Sequence, residues 1–291
     1  MTLVDLLCLA VMVAAALGGA ALCAGSFARR AGALAFGLLA VLPAWWAETP
    51  LVRGVLGLIS WLLVMRLVDL VRVRTPFSLA RRAWHLLSAV DSRLLEPAPR
   101  RVDFRGVAAL LAWLALGVGG GALAWVAPRF GGLGVRWLGG ALIGYAAVES
   151  IWTSVRVAYG ALGFGTPTLH RHPIAARTLR ELWSERWATP VSHWLNANIF
   201  RPVTRLGFPR LGLLAAFAAS GVGHAYGVLV ALGWPMALAM LGFFVVQGVL
   251  MVVERVLGVS ARAWVVVAML ASSPLFTEPM LRCLGFEFPL P

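Results

Sequence analysis

The chain has 291 residues, of which 60% are hydrophobic and 13% charged, with a formal charge of +13 and a mean hydropathy of +0.85. Soluble globular domains run at about 45–50% apolar and about 25% charged residues, so the composition excludes that class and predicts a polytopic membrane protein. Every basic residue is arginine. In a membrane chain such an excess is what cytoplasmic loops carry, and no nucleic-acid partner is expected.

The apolar runs are roughly twenty residues long and do not alternate, which predicts an all-α transmembrane bundle and not a β-barrel. Eight spans are expected, near 3–25, 32–47, 51–71, 106–127, 137–161, 211–232, 234–253 and 263–281. The whole chain reads as one integral membrane domain. The N-terminal run carries Asp5 where a signal peptide would carry a basic residue, so it reads as a first span. The second span is short and contains Pro43, which predicts a kinked or partly interfacial segment. Cys8, Cys23 and Cys283 show no metal-ligand spacing and read as small apolar fillers, so no metal is expected.

The arginines alternate between links. The first link holds Arg29 and Arg30, the third (72–105) holds eight, the fifth (162–210) holds seven, and the seventh holds Arg255 and Arg262. The even links and the C-terminal tail share only Arg53, Arg129, Arg136 and Arg282. Odd links are therefore expected in the cytoplasm, with both termini outside. In the third link, residues 78–95 read as an amphipathic interfacial helix broken by "EPAPR". In the fifth link, "HRHPIAARTLRELWSERWATPVSHWLNANIFRPVTR" (170–205) mixes arginines with tryptophans. It also holds the only two asparagines, Asn196 and Asn198, and three of the five histidines.

The sixth span contains "ASGVGHAYG" (219–227). No Arg, Asp or Glu occurs between Leu211 and Val253, and His224 stands alone in that run as a histidine. It lies thirteen residues beyond Leu211, which at about 1.5 Å per residue is roughly 20 Å into a core about 30 Å thick. Ionisable groups at such a depth are costly and usually functional. The small residues around it permit close helix packing, or leave room for an acyl chain.

"HPIAARTLRELWSERW" resembles the P-x-x-A-x-S-L-x-E-F-W-G-R-R-W signature of the wax synthase branch of the membrane-bound O-acyltransferase superfamily. "NIFRP" is similar to its following Y/F-R-P element, "ASGVGHAYG" to the segment with the superfamily's catalytic histidine, and "GFFVVQGVLMVVER" to the next, Gln-containing helix. The likeness covers about 170–257 in matching order and spacing. It implies an acyl-CoA-dependent enzyme with His224 as general base and a long-chain alcohol or other lipid alcohol as acceptor, giving by default a wax ester. Where the superfamily usually has Asn or His after the signature's Trp, this chain has Ala188. Asn196, Asn198 or His193 is expected to supply the missing polar group.

The residues suit that chemistry. Alcoholysis of a thioester needs a base for the alcohol's proton and a donor for the developing oxyanion. An imidazole in apolar surroundings keeps its neutral, proton-accepting form. No nucleophile elbow or Cys–His pair stands out, so transfer is expected to be direct, with acyl-CoA as donor substrate and no further cofactor. Arg180 and Arg186, inside the signature, are the arginines expected to hold CoA phosphates, unless Glu181 and Glu185 engage them. Trp187 and His193 are further substrate-side candidates, although the tryptophans of this link also suit interface anchoring. Two other readings stand beside this one. One is a transporter or lipid-handling protein with His224 as proton relay, and the other a non-catalytic relative that keeps the fold.

Overall fold

The computed structural model describes residues 1–23, 26–72, 77–130 and 132–287. The chain is almost wholly helical. Long helices are α1 (Leu3–Leu22), α2 (Phe27–Leu39), α3 (Pro50–Arg72), α5 (Phe104–Phe130), α6 (Gly132–Leu162), α10 (Pro209–Leu232), α11 (Trp234–Leu257) and α12 (Arg262–Cys283). Short ones are α4 (Leu79–Leu87), α7 (Leu179–Glu181), α8 (Thr189–Leu195) and α9 (Arg201–Arg205). All eight expected spans are helical. Residues 24 and 25, expected to close the first span, lie outside the described residues. Among the described residues, seven segments are long and apolar enough to cross a membrane, which makes this an integral, multi-pass membrane protein. The expected fifth span is α6, which is 31 residues long and less apolar because it carries Arg136, Glu149 and Arg156.

The second span breaks at its proline. α2 stops at Leu39 and a 3₁₀ turn, Leu42–Trp46, carries Pro43 at its start. Proline lacks an amide proton and clashes with the preceding turn, so an α-helix cannot run through it undisturbed. α12 tolerates Pro274 differently. That ring deprives the Leu270 carbonyl of its helical donor, and the Ser273 hydroxyl bonds to it instead at 2.9 Å, as proline-containing membrane helices require.

The chain forms two compact units. The first comprises Met1–Leu94, Gly223–Ala237 and Cys283–Gly285, and the second Leu95–Val222, Leu238–Arg282 and Phe286–Pro291. In the first unit, Thr2 and Asp5 form a capping box on α1, and the same carboxylate accepts the Glu48 amide at 3.0 Å. α3 and the C-terminal part of α10 meet at glycines. A Cβ on Gly57 would lie 2.7 Å from the Cα of Gly227, and one on Gly227 would lie 2.9 Å from the Gly54 carbonyl oxygen. Backbones approach this closely only where neither residue carries a side chain.

α4 is shorter than the interfacial helix expected over 78–95, and it is docked. The Arg82 guanidinium donates to the Ala20 and Ala21 carbonyls at 2.8 and 3.1 Å, satisfying the last turn of α1 as basic residues commonly do. His85 is fully buried, with Nδ1 2.9 Å from the Ser92 hydroxyl. Asp69, His85 and Asp91 place their ligand atoms within 4.8 Å of one another. Arg93 Nη2 nevertheless contacts Asp69 at 2.9 Å and Asp91 at 2.6 Å, and Arg66 approaches Asp91 at 3.4 Å. The cluster is thus neutralised by guanidinium, the arrangement of a structural joint.

Burial pushes His85 down to about 4 against the pull of Asp91. Its folded value lies below the unfolded one of about 6.5, so the neutral ring's contribution is complete above pH ~6.5 and is lost as pH falls towards 4. Hydrogen-exchange protection over 79–94, corrected for the intrinsic exchange rate at each pH, should therefore fall between pH 7 and pH 4.5, and His85→Gln should flatten that dependence. Equal pH dependence in the two proteins would dismiss His85 as its source.

In the second unit α5 and α6 form an antiparallel hairpin. Its helices touch at Gly120 and Gly139, where an added Cβ would lie 2.8 and 2.6 Å from the opposite carbonyl oxygen. Arg136, buried near the start of α6, donates to Glu278 at 2.9 Å and to the Phe286 carbonyl at 2.6 Å. Glu278 also accepts from Arg282 and Trp137. This satisfied cluster fixes the end of α12, and removing one partner would strand a buried charge. A two-residue ladder, β1 (Glu96–Pro97) with β2 (Phe164–Gly165), ties the link before α5 to the link after α6. "EPAPR" thus pairs with a distant segment as well as ending a helix.

Candidate active site

Residues 166–205 form the part of the second unit in which most of the candidate side chains lie. Two π-helical turns interrupt its short helices, Leu182–Arg186 after α7 and Asn196–Phe200 after α8. Such turns are rare and often accompany functional sites. The short helix before the first, α7, is capped from a distant part of the chain. Glu254 of α11, itself buried, accepts the Leu179 amide at 2.6 Å and the Arg180 amide at 3.3 Å, and also the Trp264 indole at 2.8 Å. Thr178 caps the same turn by accepting the Glu181 amide at 2.9 Å. A buried carboxylate with three donors is a well-satisfied anchor.

Arg186 is held within the chain. It bonds Glu181 through Nε at 2.7 Å and through Nη2 at 2.6 Å, and it donates to the Arg171 carbonyl at 2.9 Å. The Arg177 amide, and next to it Arg186, hold the Glu181 carboxyl below the usual carboxylate range. This guanidinium, one of the two expected to hold CoA phosphates, joins the signature to the segment before it. Arg180 is exposed on the same turn.

Trp183 and Trp187 are not simple interface anchors. Trp183 donates to Gln247 at 3.0 Å, and the fully buried Gln247 donates to Ser272 at 2.7 Å. Its ring meets Phe217 and Phe243 edge-on. Trp187 stacks on His170 with centroids 4.2 Å apart. His170 Nδ1 lies 2.8 Å from Glu149 Oε1. Glu149 is not among the candidate residues of the sequence reading, although it is the one acid within residues 137–161, and an acid within an apolar span is itself a functional signal.

Ala188 adopts φ 43°, in the left-handed region. Its carbonyl accepts the Val191 and Ser192 amides at 2.9 and 3.0 Å, so the conformation starts α8. Asn populates that region far more readily than alanine. An amide at this position therefore also eases a backbone that alanine adopts at a cost.

Of the three residues expected to replace it, His193 is exposed, while Asn196 and Asn198 are half-buried. Asn198 Nδ2 donates to the Trp194 carbonyl at 3.0 Å. Asn196 Oδ1 is buried without a hydrogen-bond partner among the described residues, a condition that costs about 1–3 kcal/mol. Asn196→Ala should accordingly reduce turnover at least tenfold with little loss of thermal stability, whereas Asn198→Ala should chiefly lower stability. Full activity of purified, folded Asn196→Ala would remove it from the site.

His224 lies in α10, half-buried, within the part of that helix that belongs to the first unit. The small residues beside it are covered. A Cβ on Gly223 would run into the Trp61 indole, and one on Gly221 would lie 2.9 Å from a Leu241 methyl. With Gly227 against α3, these glycines serve close helix packing, not the space for an acyl chain that the sequence equally allows. Asn196, Asn198, His193, Arg180, Arg186 and Trp187 all belong to the second unit.

Residues 166–246 match the family model described as the membrane bound O-acyl transferase family. The matched stretch runs from just before His170 through α7–α9 and α10 into α11, a little more than a quarter of the chain. It contains His224, both asparagines and both π-helical turns, and it supports that superfamily and an acyl-transfer activity in general. No curated protein matches the chain.

Proposed function

We propose that the chain is a wax synthase-like O-acyltransferase that moves a fatty acyl group from acyl-CoA to a lipid hydroxyl, by default that of a long-chain alcohol. The observation that carries this reading is His224, a histidine in the middle of an apolar helix inside the matched stretch. The alcohol oxygen attacks the thioester carbon while its proton passes to the imidazole, and the C–S bond then breaks. The proton leaves with the CoA thiolate, so atoms and charge balance without an acyl-enzyme. The lipid alcohol and the acyl chain reach His224 through the membrane, where bulk water is scarce, and alcoholysis is thereby favoured over hydrolysis. The arginine-rich link 162–210, expected in the cytoplasm, faces the compartment that holds acyl-CoA.

Purified protein given labelled acyl-CoA and a panel of alcohols should form esters, resolved by mass. No ester with any alcohol, from folded protein, would overturn the reading. Within it, Arg180 and Arg186 separate. Arg180→Gln should raise the KM for acyl-CoA about three- to tenfold with the acceptor KM unchanged, because Arg180 is exposed on the signature and an arginine fork suits phosphate. Arg186→Gln should instead lower the melting temperature, because its guanidinium braces Glu181 and the Arg171 carbonyl. An unchanged donor KM in Arg180→Gln would leave that arginine with a topological role only.

A further inference from the structure

Glu149 and His170 form an imidazole–carboxylate pair in the second unit that the mechanism above does not use. The His170 side chain is 3% exposed and that of Glu149 15%. His170 Nδ1 is committed to Glu149 at 2.8 Å, and its other ring nitrogen, Nε2, is buried with no partner among the described residues. The surroundings are aromatic. Trp187 stacks on the imidazole at 4.2 Å, Tyr145 lies 5.9 Å away at an interplanar angle of 22°, and Trp113 meets Tyr145 edge-on at 5.6 Å. The segment is pinned from both sides. Arg171 N donates to the Arg186 carbonyl at 2.8 Å, and Thr189 donates through its amide to the Leu169 carbonyl at 3.0 Å and through its hydroxyl to the Thr168 carbonyl at 2.7 Å.

We propose that this pair is a docking site for the hydroxyl group of the lipid acceptor before transfer, with His170 Nε2 as its polar contact and the Trp187 and Tyr145 rings beside it. The inference rests on the acyl-transfer reading and names the acceptor's contact residues within it. The chemistry selects the ligand. With Nδ1–H donated to the carboxylate, Nε2 offers a lone pair and requires a donor. If the proton count of the pair changes, Nε2–H requires an acceptor. A hydroxyl meets either requirement. A carboxylate or phosphate would be repelled by Glu149, and a fully apolar ligand would leave Nε2 without a bond. With the Tyr145 hydroxyl already engaged by Glu149, the aromatic rings beside Nε2 suit an alkyl chain ending in an OH.

The test is photolabelling of the full-length protein with a long-chain alcohol that carries a diazirine beside its hydroxyl, with adducts mapped by mass spectrometry. We expect adducts on peptides containing Tyr145, His170 or Trp187, competed away at least tenfold better by the plain alcohol than by its methyl ether of equal length. The double variant Glu149→Met/His170→Phe replaces the pair by apolar groups of similar size and keeps the ring stack. It should lose that preference and raise the acceptor KM at least tenfold, with the acyl-CoA KM unchanged. Should the double variant fail to fold, Glu149→Gln/His170→Phe is read in its place, and the wild-type competition stands independently of either.

Adducts elsewhere, or equal competition by alcohol and ether, would overturn the proposal. So would an unchanged acceptor KM. Wild-type labelling with the alcohol preference but no ester formation would count against the acyl-transfer reading and leave the hydroxyl site standing. Ester formation that depends on His224 but is indifferent to Glu149 and His170 would do the reverse.

Discussion

Replacing His224 by alanine should lower kcat at least a hundredfold while changing the KM for acyl-CoA little. A positioned general base contributes about 10²–10⁴-fold, and the CoA head is expected at the cytoplasmic arginines, away from the middle of α10. His224→Gln is the sharper variant. Glutamine keeps a hydrogen-bonding side chain of similar reach, so it should preserve a packing contact, yet it cannot take up a proton at any useful pH. The Gln variant should fold, melt near the wild type and remain as inactive as the alanine variant. Activity of folded His224→Gln within a few-fold of wild type would refute the base. The half-buried setting of His224 in an otherwise apolar helix makes both variants tolerable to the fold, which leaves the kinetic difference to decide.

The second large effect is expected at the glycine crossing of α3 and α10. Gly57→Ala would place a methyl group 2.7 Å from the Gly227 Cα. No side chain there can rotate away, so the helices must separate. Overpacking of this kind costs about 1–3 kcal/mol. His224 lies three residues before Gly227, and a displaced α10 moves it, so kcat should fall severalfold along with the melting temperature. Gly54→Ala is the internal control. Its Cβ would meet the Gly227 carbonyl oxygen at 3.6 Å, an ordinary contact, and alanine favours a helix over glycine by roughly 0.5–1 kcal/mol. It should be neutral or mildly stabilising. Equal thermal shifts in the two variants would show that backbone contact does not govern this crossing.

The two cases show where sequence reading reaches and where it stops. The spans were legible because each apolar run must shield its own backbone, and that requirement is written locally. His224 was legible for a related reason, since an imidazole in such a run is conspicuous. The small residues at 221–227 were visible too, but what covers them was not. Trp61, Leu241 and Gly54 lie far along the chain, and only the fold brings them to those glycines. The link 166–205 was the least legible. Its helical period is broken by π turns, its first cap comes from Glu254, and Arg186 pairs with Glu181, the partner the sequence offered beside phosphate. His170 and Glu149 stand 21 residues apart, with nothing in either neighbourhood to announce the other.

The cap from Glu254 has a consequence for how the chain is made. Its carboxylate lies 75 residues beyond the Leu179 amide it receives. At about 5–20 residues per second, the ribosome delivers it roughly 4–15 s after the turn it must hold. During that interval the Leu179 and Arg180 amides wait without their anchor, and the signature region cannot reach its final form. A nascent chain stalled before α11 is complete should therefore expose Arg177 and Arg180 to trypsin, and release a few dozen residues later should close that window.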